Sequence, residues 1–423
     1  MMKTSKKSEK TKTNFFSKIN QKNKKLLICA ATIVIILLGV FAAVTFIPSK
    51  NYTVAFYNIE EKQKNGIKST LEQIAEKQKM SIAFREYDSE ESLKDQLLLS
   101  KKPELIITTS GYGVDMATEK ASSRASLSKT LLLEMSSSMK NAAKSAGSGD
   151  NLSAIPFLSS HLEVDIATAD FRESNTKKIN TWNDVEKFMR EQKNKKEAPL
   201  VFAGGNSDNF LNIMGALAES IDGIESYNDA IEIIKKNGKN PARTAAKLCD
   251  DPDSPLATSV KLLTTWYKYG LIHPGVFSFQ KNDVEAFAAS RLSSVLFMSL
   301  ENHRAFAQNA ISRFTSIYFP SEHGANSRIF TGTVYYAVPM IKSKKTETIM
   351  KYLVSTEIQE ELSRTTGVAP VLAHCRTPDK QANDARYWIA ATTTPLPGLA
   401  NEVYLTKEQK KTLAAEIIAR IKK

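Results

Sequence analysis

Between residues 53 and 111 short apolar runs alternate with amphipathic stretches, and this alternation restricts the fold more than any other feature of the chain. "TVAFYN" at 53–58 is built from strand formers. "GIKSTLEQIAEKQK" at 66–79 places Ile67, Leu71, Ile74 and Ala75 on one helical face. "SIAFREY" at 81–87 is a second strand, and "SEESLKDQLLLS" at 89–100 is a helix with Ser89 or Ser92 as its cap. "PELIITTSG" at 103–111 is a third strand that ends in small polar residues and glycine. Strands alternating with helices predict an α/β fold with a mostly parallel sheet covered on both faces.

The pattern continues after a Ser- and Ala-rich connection at 121–153. "AIPFLSSHLEVDIA" at 154–167 is one apolar stretch with Pro156 near its start. "TWNDVEKFMREQK" at 181–193 reads as a helix capped by Thr181, with Asp184 in its first turn. "PLVFAGG" at 199–205 is a strand running into a glycine pair, and Ser207 or Asp208 can cap the helix that follows. The stretch 255–275 is a helix closed by Gly270 and Pro274, 293–299 is a buried strand, and 328–340 is a strand with glycine inside it. Residues 346–367 give one or two helices.

Residues 26–47 carry no charge, and as a helix they would span about 33 Å, close to the thickness of a bilayer core. The basic segment 1–25 holds nine Lys and one Glu, which predicts that it stays cytoplasmic while the rest of the chain faces outward. The expectation is therefore a single-pass transmembrane anchor in the cytoplasmic membrane, with the C-terminal part on the periplasmic or extracellular side. A cleaved signal peptide is the alternative, but Ala42 and Ala43 make a poor cleavage site, and Cys29 lies at the wrong end of the run for a lipid anchor. Most of the net charge of +13 resides in that basic tail, so the remainder gives no reason to expect nucleic acid. Cys249 and Cys375 form no CxxC or metal spacing and read as two separate thiols.

Catalytic signatures are missing. "SLSK" at 126–129 and "SSMK" at 137–140 match S-x-x-K without its partner motifs. There is no Walker loop, no G-x-S-x-G and no H-E-x-x-H, and "GYG" lacks the third glycine of a dinucleotide loop. His161, His273, His303, His323 and His374 include no pair at i, i+4. The expectation is no enzyme, no cofactor and no metal.

Read in order, several segments resemble the extracellular solute-binding proteins of bacterial ABC importers, the sugar-binding branch with maltose-type binding proteins in particular. "KKPELIITTSG" resembles the strand that ends at the ligand cleft, and "AIPFLSSHLEVDIATADF" the segment entering the second lobe. "KKINTWNDVEKFMRE" is similar to the family's P-x-T-W-x-E-L helix start, and "LLTTWYKYGLIHPG" to its helix ending in glycine and then proline. "DVEAFAASRLSSVLFMSLENHRAF" resembles F-x-x-G-K-A-A-M, and "TGTVYYAVPMIKSKKTETIMKYLVSTEIQEELSRTTGVAPV" the closing passage. Two departures stand out: Ser290-Arg291 replaces glycine-lysine, and Glu301, Asn302 and His303 stand where many sugar binders have a tryptophan.

The resemblance implies a two-lobed, type II-like periplasmic-binding-protein fold, with a first lobe of 50–157 plus 332–370 and a second of 160–328 plus 371–423. Ligands of open α/β sheets bind beyond the carboxyl ends of strands, so two facing lobes would enclose one cleft. The candidate ligand-binding residues are Tyr57 and Asn58; Thr108, Thr109, Ser110 and Gly111; Phe157, Ser159, Ser160 and His161; Gly204, Gly205, Asn209 and Phe210; Glu301, Asn302 and His303; Gly332 and Thr333; and Trp388. Turns, helix caps and packing account for many such residues elsewhere. Trp182 and Trp266 read as packing residues. The implied function is capture of a small polar solute, a carbohydrate, for delivery to ABC permease subunits. A sensory module or a non-binding envelope scaffold with the same fold is the alternative.

Overall fold

A computed structural model describes residues 51–423 apart from 99–101, 122–126, 147–151, 324–331, 378–379, 381–382, 385–395 and 404. The first sheet contains β1 (Tyr52–Tyr57), β2 (Ile82–Tyr87), β3 (Leu105–Thr109) and β4 (Ile155–Ser159). The second contains β5 (Leu162–Ala167), β6 (Leu200–Phe202), β7 (Val295–Ser299) and β8 (Phe314–Ile317). The chain then returns to the first sheet with β9 (Val334–Pro339) and β10 (Ala369–Pro370). The strand orders are β10-β4-β9-β3-β1-β2 and β6-β7-β5-β8.

Neither sheet is mostly parallel, which corrects the expectation from the helix-strand alternation. β1 pairs in parallel with β2 and β3, and β6 with β7. The remaining pairs, β3 with β9, β4 with β9 and β10, and β5 with β7 and β8, are antiparallel. The cause is the exchange of chain between sheets. A strand that leaves a sheet and one that returns to it run in opposite directions, and the two here are direct neighbours. The stretch 154–167 is likewise two strands, one in each sheet, separated by Ser160 and His161.

Local chemistry sets the helix starts. The Thr181–Asp184 pair forms a capping box for the helix Trp182–Gln192. Ser89 accepts from the Ser92 amide at 3.0 Å and is the cap of its helix. The helix Ser207–Asp222 is capped by Asn206, whose side-chain oxygen accepts from the Asn209 amide at 3.0 Å, and not by Ser207 or Asp208. Asn206 wins because it is the last extended residue, the position from which a side chain reaches back to N3.

Each sheet has its own core. Phe56, Ile107, Phe157 and Ala337 belong to the first, and Val164, Phe202, Phe210 and Phe297 to the second. Trp182 and Trp266 pack against each other in the second core, ring centres 5.9 Å apart. The final helix, Lys407–Ile421, docks on the helices Ser207–Asp222, Pro241–Cys249 and Ala257–Lys268. It buries Leu413, Ile417 and Ile421, each contributing about 1.5–3 kcal/mol. Val371, Leu372 and Cys375 also lie in the first core. Cys249 packs against the second core, and no disulfide joins the two cysteines. No helix among the described residues is long and apolar enough to cross a membrane, and the expected span, 26–47, lies outside them.

Candidate functional site

A cleft of about 730 Å³ opens where the carboxyl ends of β1 and β3 face the start of the helix Ser207–Asp222. One wall begins with Tyr57 and Asn58, at the end of β1. Asn58 adopts φ 55°, in the left-handed region that asparagine tolerates better than most residues. In that conformation its amide donates to Thr109 Oγ1 at 2.7 Å and to Asn401 Oδ1 at 3.4 Å. The first bond joins the ends of two neighbouring strands, and the second reaches a residue from the far end of the sequence.

The floor is formed where the chain passes between sheets. The Ser160 amide donates to the Thr333 carbonyl at 2.7 Å, and the Ser110 amide to the Val334 carbonyl at 2.8 Å. Gly332 is required at this passage because a Cβ there would stand 1.9 Å from the Ser160 carbonyl oxygen. Above the floor sits the buried carboxylate of Glu301, on the short helix Leu300–Ala305. It accepts from the Tyr335 hydroxyl at 2.9 Å and from the Ser160 hydroxyl. Burial, reinforced by Glu301 and Glu60, pushes the Tyr335 phenol far above its usual range, so it remains a donor.

The opposite wall carries Gly205, Asn206, Ser207, Asp208 and Asn209 at the start of the helix Ser207–Asp222, followed by Asn212. The Asn209 amide donates to the Ala203 carbonyl at 2.9 Å, and Asn212 Oδ1 accepts from the Ala400 amide at 2.9 Å. Lys281, Lys407, Lys410 and Lys411 border this side, while Glu60, Asp88 and Glu90 border the other. The cleft therefore offers amides, hydroxyls and carboxylates on both walls, with Tyr57, Tyr87 and Tyr335 as its aromatic surface. Such a lining suits a polyhydroxyl or similarly polar small molecule.

Of the residues expected from the sequence, Tyr57, Asn58, Thr109, Ser160, His161, Gly205, Asn209, Glu301, Asn302, Gly332 and Thr333 line this cleft. Others are placed elsewhere. Thr108 lies on the opposite strand face from Thr109, against Gly113. Ser110 is occupied with the Val334 backbone, and Gly111, at φ 87°, is pressed against the Asn401 carbonyl. Phe157 belongs to the first core, and Ser159, on the same strand face, is fully buried. Gly204 is wedged against the Val276 carbonyl, and Phe210 packs edge-on to Phe277 in the second core. Trp388 lies outside the described residues.

His303 turns away from the cleft into a buried polar cluster. Its Nδ1 is 2.7 Å from Glu163 Oε2 and 3.1 Å from Asp165 Oδ1. Burial alone would lower the imidazole, but the two carboxylates outweigh it and push His303 up to about 10. Sequence reasoning missed Glu60, Asn206, Asp208, Asn212, Tyr335, Asn401 and the lysines. The glycine pair before Asn206 was a usable signal for the helix start. For Asn401 and Lys410 no local signal exists, because they reach the cleft from the C-terminal segment.

No family model matches the chain, and no curated protein does. Solved structures do. An open-conformation putative binding protein, MsmE of Bacillus subtilis strain 168, superposes with a TM-score of 0.66 at 13% identity, covering 88% of this chain and 94% of that one. The bacterial solute receptor AcbH, described as exclusively preferring β-D-galactopyranose, gives 0.64 at 13% identity over 88% and 98%. The solute-binding protein RafE in complex with raffinose gives 0.59 at 12% identity over 88% and 98%. This chain has the fold of these bacterial solute-binding proteins.

Proposed function

We propose that this chain is a non-catalytic receptor that captures a small carbohydrate between its two lobes and presents it to the permease of an ABC importer. The observation that carries the reading is the interlobe cleft, polar on both walls, in a fold shared with galactopyranose- and raffinose-binding proteins. A ligand bonded to both walls binds the closed form better than the open one and shifts the population toward closure, a state a permease can read. In this reading residues 26–47 anchor the chain, 1–25 remain in the cytoplasm, and the body from residue 50 onward works outside. Residues 50–157 and 332–375 act as one lobe, and 160–323 and 396–423 as the other. Tyr57, Asn58, Thr109, Ser160, Asn209, Glu301 and Thr333 contact the sugar.

The test is a thermal-shift screen of the full chain against mono- and oligosaccharides, polyols, sugar phosphates, amino acids and short peptides. A ligand at about 100 times its Kd stabilises a one-site receptor by about 2.7 kcal/mol. A saturable shift with one sugar class is expected. A shift confined to amino acids or peptides would reassign the cargo, and a folded protein that answers to nothing would sink the receptor reading.

A further inference from the structure

Apart from His161, which borders the cleft, the polar face of β5 has no part in the cleft chemistry described above. His161, Glu163 and Asp165 alternate along this strand and its start, so they share one face. The other face, with Leu162, Val164 and Ile166, enters the second core. The helix Leu300–Ala305 brings His303 onto the polar face. All four residues are sunk, with 3%, 1%, 0% and 2% exposure for His161, Glu163, Asp165 and His303.

We propose that Glu163, Asp165 and His303, with His161 as fourth donor, hold a divalent transition-metal ion whose best match is zinc. The donor atoms of Glu163, Asp165 and His303 all lie within 4.8 Å of one another. His161 Nε2 stands 3.2 Å from Glu163 Oε1, and His303 Nδ1 stands 2.7 Å from Glu163 Oε2 and 3.1 Å from Asp165 Oδ1. A tetrahedron with bonds of about 2.0–2.1 Å has edges of about 3.3–3.4 Å, so of these three separations the 2.7 Å one must widen most to admit an ion. Two imidazoles and two carboxylates form a mixed nitrogen-oxygen set suited to zinc, whereas calcium and magnesium favour oxygen alone.

An independent observation concerns Asp165. Its side chain is fully buried, yet Oδ2 has no hydrogen-bond partner among the described residues. A buried carboxylate oxygen left so is costly, and a metal ion that took the place of the proton between His303 and the carboxylates could bind it directly. The surroundings also fit. Ser316 Oγ donates within 2.6 Å of Asp165 Oδ1 and within 3.0 Å of Glu163 Oε2, an outer hydrogen bond of the kind that orients metal ligands. His303 and Ser316 also border a second cavity of about 670 Å³, which provides an entry path separate from the cleft. Because Glu301 precedes His303 on the same short helix, the ion would fix the Glu301 carboxylate that faces the cleft.

The experiment uses the tag-free full chain, stripped with a chelator, dialysed against micromolar zinc and analysed by elemental mass spectrometry. Cobalt(II) is then loaded in place of zinc and its visible spectrum recorded. One zinc per chain, tetrahedral cobalt bands and a melting temperature that rises with zinc are expected. Glu163→Gln, Asp165→Asn and His303→Gln should each lower zinc affinity by tenfold or more, while His323→Gln leaves it unchanged. Wild-type uptake below about a tenth of an equivalent, or a cobalt spectrum without tetrahedral bands, would overturn the proposal even if every variant misfolded. Equal uptake by a folded His303→Gln would do the same. The four side chains would then be a buried ion-pair network.

Discussion

The Tyr335 hydroxyl donates to Glu301 Oε1 at 2.9 Å, and this bond joins a strand of the first sheet to the helix that follows a strand of the second. Both partners border the cleft yet are almost wholly buried. A hydrogen bond to a charged group contributes about 1.5–3 kcal/mol. A double-mutant cycle on Tyr335→Phe and Glu301→Ala, read by denaturant unfolding, should return a coupling of that size. Strict additivity would mean that the bond does not couple the two sheets.

Gly332 should tolerate no side chain. A Cβ at this position would meet two backbone atoms, the Ser160 carbonyl oxygen at 1.9 Å and His161 Cα at 2.5 Å. Backbone cannot rotate aside as a side chain can, so Gly332→Ala must push the two passages apart, at about 1–3 kcal/mol. Calorimetry should show a melting temperature lower by several degrees. An unchanged melting curve would contradict the close approach.

Asn58 separates backbone conformation from binding chemistry. At φ 55°, valine is strained by about 1–2 kcal/mol relative to residues that accept the left-handed region, whereas glycine is not. Asn58→Val should therefore be less stable than Asn58→Gly by about that amount in chemical denaturation. Both lose the amide, so both should bind the solute of the wild-type chain more weakly by calorimetric titration. Glycine that retained full affinity would remove Asn58 from the binding set.

Glu219 supplies a pH dependence outside the cleft. Burial raises its carboxyl from 4.5 to about 8. Between these values the folded chain keeps a proton that the unfolded chain has released. The stability contributed by the neutral carboxyl is thus complete below about pH 4.5 and is lost as pH rises through about 8. The melting temperature of the wild type should fall, relative to that of Glu219→Gln, across this window. Parallel curves would mean that Glu219 is ionised in the folded state.

The elements of the first sheet were legible because each is a local pattern. Ile67, Leu71 and Ile74 mark a helix face, and Val54, Phe56, Ile106 and Ile107 mark strands buried on both sides. Strand direction was not legible, because β9 and β4 become neighbours only through a long excursion of the chain. The crossing near Ser160 was implied by the resemblance and not by the local pattern, because two strands in different sheets, nearly continuous in sequence, read as one apolar run. Among site residues, Thr108 and Thr109 illustrate a limit of phase. The strand end was correct, but only the register with β1 decides which threonine faces the cleft. His161, Glu163 and Asp165 alternate visibly in the sequence, yet a search for helical His spacing passes over them, and nothing local announces His303 as their fourth member.

The placement of β9 bears on how the chain can be made. β9 separates β3 from β4 in the finished sheet, pairing with both. It lies more than 200 residues beyond β3, and the Ser110–Val334 contact beside it spans 224 positions. During synthesis, the apolar edge of β3 must wait unpaired until nearly the whole second sheet has emerged. Such long-range closure slows folding and leaves an open strand edge exposed to other chains. A truncated product ending before residue 334 would carry that edge permanently, open to pairing with other chains.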